Sequence, residues 1–294
     1  MSESNNDLQA DATDPAAIAR IALDHVNDLF HRVNRSIPAD QKILLLSPST
    51  LARDAVEMLA KHFYSQAPVT TGNKVLGVFS FRSFARRAAE YSLQTLNTQK
   101  HAPGDLTVEE CMERFDFANL SDEIPKHFDA LERDNGILVG TPENLSAILT
   151  PMDVLRYLFK IASPFIALSE IELALRTLIR AAKSDEEIKK MTALVLKKIY
   201  GPNAVLPESL EEMSFDNYRL LVASGDTWSS FQGVFGGSRE RVISKLKDVG
   251  DLRNTLFHFK RPIADEETQA IVSVRDWLLT RVEQLSVTSR GQGT

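Results

Sequence analysis

The first half of the chain mixes short apolar runs with amphipathic stretches. The predicted strands cover residues 43–46, 66–69 and 75–79, and the predicted helices cover residues 53–63 and 82–91. Gly72 and Asn73 lie between the last two runs, where this dipeptide favours a tight turn. The order of these elements predicts an α/β unit of about 50–60 residues.

A second copy of the pattern follows the polar stretch at residues 97–105. Its predicted elements are a strand at 117–120, a helix at 121–131, strands at 136–139 and 147–149, and a helix that begins at Pro151. An internal repeat of this kind outranks local detail in a fold prediction. We therefore predict two βαββα units, at about residues 38–92 and 106–163.

The second half of the chain changes to helical stripes. Apolar positions recur at helical spacing around residues 171–179, 191–196, 239–259 and 271–285. The prediction is an α/β region at residues 15–163 and an all-α bundle at residues 164–285. Asp14-Pro15 is typical of a helix start, and a helix is expected behind it. The polar residues 1–14 predict a disordered tail, and residues 286–294 predict a flexible one.

Composition and charge narrow the class of protein. The chain of 294 residues is 43% hydrophobic and 25% charged, with a net charge of −6, which disfavours a generally basic nucleic-acid binder. The single cysteine, Cys111, allows no intramolecular disulfide and suits a reducing cytoplasm. No apolar run reaches the length of a membrane span, and the histidines lack metal-ligand spacing. We expect a cytoplasmic protein without a membrane segment or a metal.

The segment Arg253-Asn254-Thr255-Leu256-Phe257-His258 carries the strongest chemical signal. A permanent cation, an amide and an acid/base group near neutrality suit a phosphodiester without the help of a metal. Arg253 falls within an apolar helical stripe, where an unpaired charge is costly, so it needs partners. On an ideal helix Arg253 and His258 lie about 140° apart. Either the helix ends near Phe257 or two subunits compose the site.

The repeated unit resembles the cystathionine-beta-synthase (CBS) domain family. The resemblance rests on Gln66-Ala67-Pro68-Val69 and Gly77-Val78-Phe79-Ser80-Phe81-Arg82-Ser83 in the first copy, and on Ala147-Ile148-Leu149-Thr150-Pro151-Met152-Asp153 in the second. Two such domains normally pair into one module. The resemblance implies a regulatory adenine nucleotide, such as AMP, ADP, ATP or a related signal, in a cleft between the paired sheets.

In the second copy, Thr150 closes a strand and opens a helix, where a hydroxyl and free N–H groups suit a phosphate. Asp153 is one turn on and suits ribose hydroxyls. The alternative is purely structural, with Thr150 as an N-cap and Asp153 as a first-turn acid. In the first copy Ser83 stands where the resemblance implies an acid, so the candidate set of Ser80, Arg82 and Ser83 lacks a carboxylate for the ribose, and Arg82 is expected to attract phosphates.

Residues 164–285 resemble the HEPN superfamily (higher eukaryotes and prokaryotes nucleotide-binding). The resemblance rests on Arg253, Asn254 and His258, with support from Glu170-Ile171-Glu172-Leu173-Ala174-Leu175-Arg176 and from the aromatic residues at 228–235. It implies a metal-independent endoribonuclease that works as a dimer, with the two motifs facing each other. Glu172 is a candidate polar partner of the motif on this resemblance.

Two functions remain open on the sequence. The first is a nucleotide-sensing ribonuclease, with RNA as substrate and a toxin or antiphage role. The second is a non-catalytic regulatory or scaffold protein, in which Arg253 is a core arginine paired with Glu172 or Asp251 and the helical half only dimerises or binds a partner.

Overall fold

The computed structural model describes residues 31–94 and 102–291. The predicted tail at 1–14 and the helix expected behind Pro15 lie outside the described residues, apart from the last few residues of that region. Contacts divide the chain into two compact units between Leu158 and Phe159. Within the described ranges, no helix is long and apolar enough to cross a membrane.

The first unit contains the two copies in order. The first copy comprises α1 (Val33–Ser36), α2 (Ala52–His62), β1 (Gln66–Thr71), β2 (Lys74–Ser80) and α3 (Phe81–Gln94). The second comprises α4 (Val108–Cys111), β3 (Phe117–Ala118), α5 (Phe128–Asp134), β4 (Ile137–Thr141), β5 (Asn144–Leu149) and α6, which starts at Pro151. Both copies therefore have the antiparallel strand pair and following helix that the repeat predicts.

The hairpins of the two copies share an irregularity. β1 pairs with β2 and β4 with β5, and the register shifts between Val69 and Thr70 in one pair and between Val139 and Gly140 in the other. Gly140 has a φ of 115°, a conformation that residues with a Cβ rarely adopt. The shared bulge supports the internal repeat at the level of backbone geometry.

Two short elements differ from the prediction. The strand expected at 43–46 is reduced to an isolated parallel bridge between Leu46 and Val69, because neighbouring Pro68 has no amide hydrogen to extend the ladder. The helix expected at 121–131 begins later, as a 3-10 turn (Ile124–His127) followed by α5. Pro125 at the start of that turn explains the shift, since proline suits the first position of a helix better than its interior.

The two copies exchange short segments. Val33 of α1 packs in the core of the second copy, with Ala118, Ile137 and Leu149. Val108 and Cys111 pack in the core of the first copy. The division at residues 38–92 and 106–163 therefore follows the order of the chain but not the packing. The core of each copy also contains a short segment that precedes the other copy in the sequence.

The second unit is helical. Its elements are the greater part of α6 (Pro151–Ala182), α7 (Asp185–Tyr200), α8 (Phe215–Ala223), α9 (Trp228–Phe235), α10 (Arg239–Phe257) and α11 (Asp265–Gly291). One core joins their apolar faces, and its largest buried members include Ile171, Leu175, Tyr218, Phe231 and Phe235. The predicted stripe of α10 faces this core, with Val242, Leu246 and Val249 buried.

Two helices run further than their patterns indicated. α6 continues through Pro164, at the position where we placed the domain boundary, although a proline nitrogen cannot donate a helix hydrogen bond. α11 continues to Gly291, beyond the predicted start of the flexible tail at residue 286. No glycine or proline interrupts residues 265–290, so the helix meets no local stop signal before Gly291.

Candidate functional site

The junction between β5 and α6 holds both predicted residues of the second copy. The Thr150 amide and hydroxyl donate to Asp153 Oδ2 at 3.0 and 2.6 Å, and the Asp153 amide donates to the Thr150 hydroxyl at 3.3 Å. This is a reciprocal cap of the helix N-terminus. Asp153 is buried, with Arg156 Nη1 3.9 Å from Oδ1. Thr150 is thus the N-cap and Asp153 the first-turn acid, as in the structural alternative. Asp153 Oδ1 accepts no hydrogen bond from the described residues.

Ser80 and Ser83 form the equivalent junction between β2 and α3. Each amide donates to the other's hydroxyl at 2.9 Å, and the Ser83 hydroxyl donates to the Ser80 carbonyl at 3.0 Å. Both side chains are buried. The first copy therefore repeats the cap without a carboxylate, as expected from the Ser83 difference.

Arg82 lies at this junction but is held by acids. Its Nη2 lies 3.4 Å from Glu113 Oε2 and 3.6 Å from Asp134 Oδ1, and its Nη1 donates to the Arg133 carbonyl. Arg86 Nη2 lies 2.5 Å from Glu113 Oε1. Glu113 and Asp134 were not predicted at this junction, because they come from segments distant in the chain. They neutralise the positive charge that we expected to attract phosphates.

The second candidate site lies at the end of α10. Arg253 Nε donates to Glu172 Oε1 at 3.3 Å, and the guanidinium lies 4.8 Å from the centre of the Phe257 ring. The side chains of Arg253 and Glu172 are 28% and 23% exposed, so the pair is shielded but reachable by solvent. The structure therefore brings Glu172 to the motif.

A polar network fixes Glu172 in turn. Arg176 Nη2 lies 3.5 Å from Glu172 Oε2, at i, i+4 spacing on α6, and Arg176 Nε donates to the Tyr218 hydroxyl at 2.8 Å. That hydroxyl donates to the Leu210 carbonyl. Burial raises the pKa of Tyr218, and Arg176 partly opposes this, so the phenol stays protonated and keeps donating near neutral pH. Arg253 is thereby anchored to the helical core.

Arg253 and Asn254 line a cavity of about 250 Å³ beside α8 and α10. The other lining residues are Ser214, Phe215, Asp216, Arg219, Lys247, Gly250 and Asp251. The sequence alone does not bring Arg219 or Lys247 to the motif, because the cavity forms only when two helices distant in sequence meet.

His258 lies at the C-cap of α10 and is exposed. The helix ends at Phe257, so one of the two sequence alternatives for the 140° mismatch is met. His258 does not line the cavity that Arg253 and Asn254 share. The imidazole makes no hydrogen bond or ion pair with the described part of the chain. Among those residues, no group of three His, Cys, Asp or Glu side chains is placed to hold a metal ion.

Comparisons with known proteins match less than half of the chain. Solved structures similar to part of this chain include protein MJ1225 from Methanocaldococcus jannaschii, with 22% identity over 44% of this chain and 50% of that one, at a TM-score of 0.38. The match thus spans half the length of MJ1225. CBSX2, solved in complex with AMP, has 23% identity over 45% of this chain and 98% of its own, with a TM-score of 0.38.

A CBS domain-containing protein from Thermotoga maritima is 12% identical over 44% of this chain and 94% of its own, with a TM-score of 0.37. No curated protein matches the sequence. The family model of the CBS domain matches residues 35–90. The resemblance of residues 164–285 to the HEPN superfamily stays a prediction. The first copy of the repeat is a CBS domain.

Proposed function

We propose that this protein is an adenine-nucleotide-sensing, metal-independent endoribonuclease that acts as a homodimer. The observation that carries the catalytic part is the arrangement at the end of α10. There Arg253 and Asn254 line a cavity, and His258 lies exposed where the helix stops. The sensory part rests on the CBS domain and on the two capped strand–helix junctions.

The second junction is the better nucleotide site. Asp153 Oδ2 is used by the cap, but a carboxylate accepts several hydrogen bonds, and Oδ1 is left for ribose hydroxyls. AMP, the ligand in the CBSX2 complex, has the ribose and phosphate that this junction suits. At the first junction a phosphate reaches Arg82 only in competition with Glu113 and Asp134.

The residues at the end of α10 suit cleavage of RNA by its own 2′-hydroxyl. A histidine takes the proton of that hydroxyl, the oxygen attacks phosphorus, and the 5′-oxygen leaves with a proton from a second acid. The products are a 2′,3′-cyclic phosphate and a 5′-hydroxyl. Arg253 stabilises the negative charge that develops on the phosphorus oxygens, and Glu172 orients its guanidinium.

A dimer supplies what one chain lacks. His258 does not line the cavity that contains Arg253 and Asn254, so one chain does not bring all three groups into it. Two copies that meet at the ends of α10 bring two histidines, one as base and one as acid. Nucleotide binding regulates cleavage if the nucleotide has different affinities for the active and inactive arrangements. Such an enzyme suits a cytoplasmic toxin or phage-defence protein.

The test is incubation of the purified protein with total RNA in a metal chelator, with and without AMP, ADP or ATP. We expect wild-type protein to cut RNA, at least one nucleotide to change the rate, and His258→Ala to leave RNA intact while remaining a dimer. Wild-type-like cleavage by His258→Ala refutes the mechanism.

The Arg253–Glu172 pair also favours a second candidate, a non-catalytic regulatory or scaffold protein. An arginine that already has an internal partner serves to stabilise the helical core. In this case the protein binds nucleotide and dimerises but leaves RNA intact. Expression in bacteria separates the candidates, because only the ribonuclease slows growth in a way that His258→Ala relieves.

A further inference from the structure

The cavity beside the motif is lined by polar and charged side chains that the proposed cleavage does not use. Lys247, Asp251 and Asn254 are spaced i, i+4, i+7 on α10, so they lie on one face of that helix, and all three line the cavity. Gly250 lies between them and is close to Phe215, since an added Cβ would lie 3.4 Å from Phe215 Cε1. The volume of this cavity is about 250 Å³.

The lining groups differ in how far they are already paired. Arg219 is held by Asp216, with Nη2 2.7 Å from Oδ1. The side chains of Lys247, Asp251 and Asn254, in contrast, make no ion pair or hydrogen bond with any residue that the structure describes. Three unpaired groups of different kinds, a cation, a carboxylate and an amide, therefore face one cavity.

We propose that this cavity binds one ribonucleotide of the RNA strand, next to the phosphodiester that is cut. Lys247 and the Asn254 amide hold its phosphate, with Arg253 at the boundary to the cleavage site. The Asp251 carboxylate accepts a hydrogen bond from the ribose 2′-hydroxyl, a group that DNA lacks. The inference rests on the proposed function, because it makes the cavity part of the substrate path of that enzyme.

The charges that line the cavity favour a ligand with a hydroxyl donor beside its phosphate over a phosphate alone. A carboxylate close to a bound phosphate is repulsive unless a hydroxyl donor lies between them. A ribonucleotide supplies that donor together with the phosphate. Lys247 then gives affinity, and Asp251 gives preference for RNA over DNA.

The test measures binding in the His258→Ala background, so that RNA stays intact. The probes are a labelled single-stranded RNA and the DNA of the same sequence, titrated at several salt concentrations. We expect Lys247→Gln to weaken both by about tenfold and to lower the salt slope by about one. Lys190→Gln, an exposed lysine on α7, is the matched control and leaves both unchanged.

Asp251→Ala separates recognition from charge. It reduces the ratio of RNA affinity to DNA affinity, whereas Lys247→Gln leaves that ratio unchanged. Gly250→Ala narrows the cavity without disturbing the fold, because the added Cβ lies 3.4 Å from Phe215 Cε1, an ordinary contact, and alanine favours the helix. It is expected to weaken RNA binding while the melting temperature stays the same or rises.

The proposed site is wrong if Lys247→Gln binds RNA as tightly as the Lys190→Gln control. It is also wrong if Asp251→Ala leaves the ratio of RNA affinity to DNA affinity unchanged. Displacement of the RNA probe by free AMP in a Lys247-dependent manner overturns it as well, because the cavity then takes a mononucleotide. The two proposals fail separately. If the wild-type protein cuts RNA but these variants bind RNA normally, only the proposed role of the cavity is wrong. If the wild-type protein binds RNA through Lys247 but does not cut it, only the proposed ribonuclease activity is wrong.

Discussion

The two candidate sites differ in what their predicted residues already do. In the CBS-type unit, Ser83 and Asp153 are buried and occupied by the caps of their own helices. In the helical unit, Asn254 and His258 are exposed and make no side-chain hydrogen bond with the described residues. The same kind of sequence signal, a polar residue at a helix end, therefore leads to a stabilising contact in one unit and to an available group in the other.

Charge follows the same division. Arg82 and Arg86 share Glu113, and Arg82 also meets Asp134, so these two cations of the first unit are neutralised within it. In the second unit Arg253 has one partner, and Lys247 has none among the described residues. Ligand binding in the first unit must compete with internal contacts, whereas in the second it completes contacts that the fold leaves open.

The largest effect is expected at His258, the exposed histidine of the helical unit. His258→Ala is expected to reduce RNA cleavage at least about a hundredfold, the usual contribution of a general acid or base. His62→Ala, an exposed histidine of the first unit, is the control and is expected to cleave like wild type. Gel analysis of RNA fragments in chelator measures both. Equal activity of the two variants contradicts a role for His258.

Asp153→Ala and Ser83→Ala compare the two junctions directly. Each removes a helix cap and is expected to lower the free energy of unfolding by about 1 kcal/mol, measured by chemical denaturation. Only Asp153→Ala is expected to remove adenine nucleotide binding, measured by calorimetry, because the first junction has no carboxylate. Unchanged affinity of Asp153→Ala for every adenine nucleotide that binds the wild type excludes this site.

Glu172→Gln tests whether the Arg253 pair serves catalysis or the fold. Both side chains are partly exposed, so the change in the free energy of unfolding is expected to stay within about 1 kcal/mol. Cleavage is expected to slow by about tenfold through the turnover rate, because the guanidinium loses its orientation but not its charge. A larger loss of stability without a change in turnover favours the scaffold function.

The smallest effect concerns Glu267 at the start of α11. Hydrogen bonds from the Arg261 guanidinium, and then from the Ala264 amide, lower the pKa of this carboxyl from 4.5 to about 2. A lowered pKa in the folded state stabilises the protein above the unfolded pKa and ceases to do so as the pH falls towards 2. Glu267→Gln is therefore expected to lower the melting temperature slightly at pH 7. That difference is expected to shrink below pH 4.5 and to vanish near pH 2; a constant difference contradicts it.

Much of the fold was accessible from the sequence. The repeat of strands and helices, the all-α second half and the buried stripe of α10 follow from periodicity alone. Prolines caused the largest local departures, at Pro68, Pro125 and Pro164, because their effect depends on whether neighbouring contacts compensate for one missing hydrogen bond. The exchange of Val33 and Val108 between the two cores was not predictable, since it joins residues far apart in the chain.

The sequence by itself determined the chemistry that is set within one or two helical turns. The Glu172–Arg176 pair follows from i, i+4 spacing on one helix, whereas the Thr150–Asp153 cap and the end of α10 at Phe257 are each one of two alternatives that the sequence allowed. Only the tertiary structure decided which groups stay available. Glu113 covers Arg82, Glu172 holds Arg253, and α8 closes a cavity over Lys247, because electrostatic and packing partners are chosen by helices that meet from distant parts of the chain.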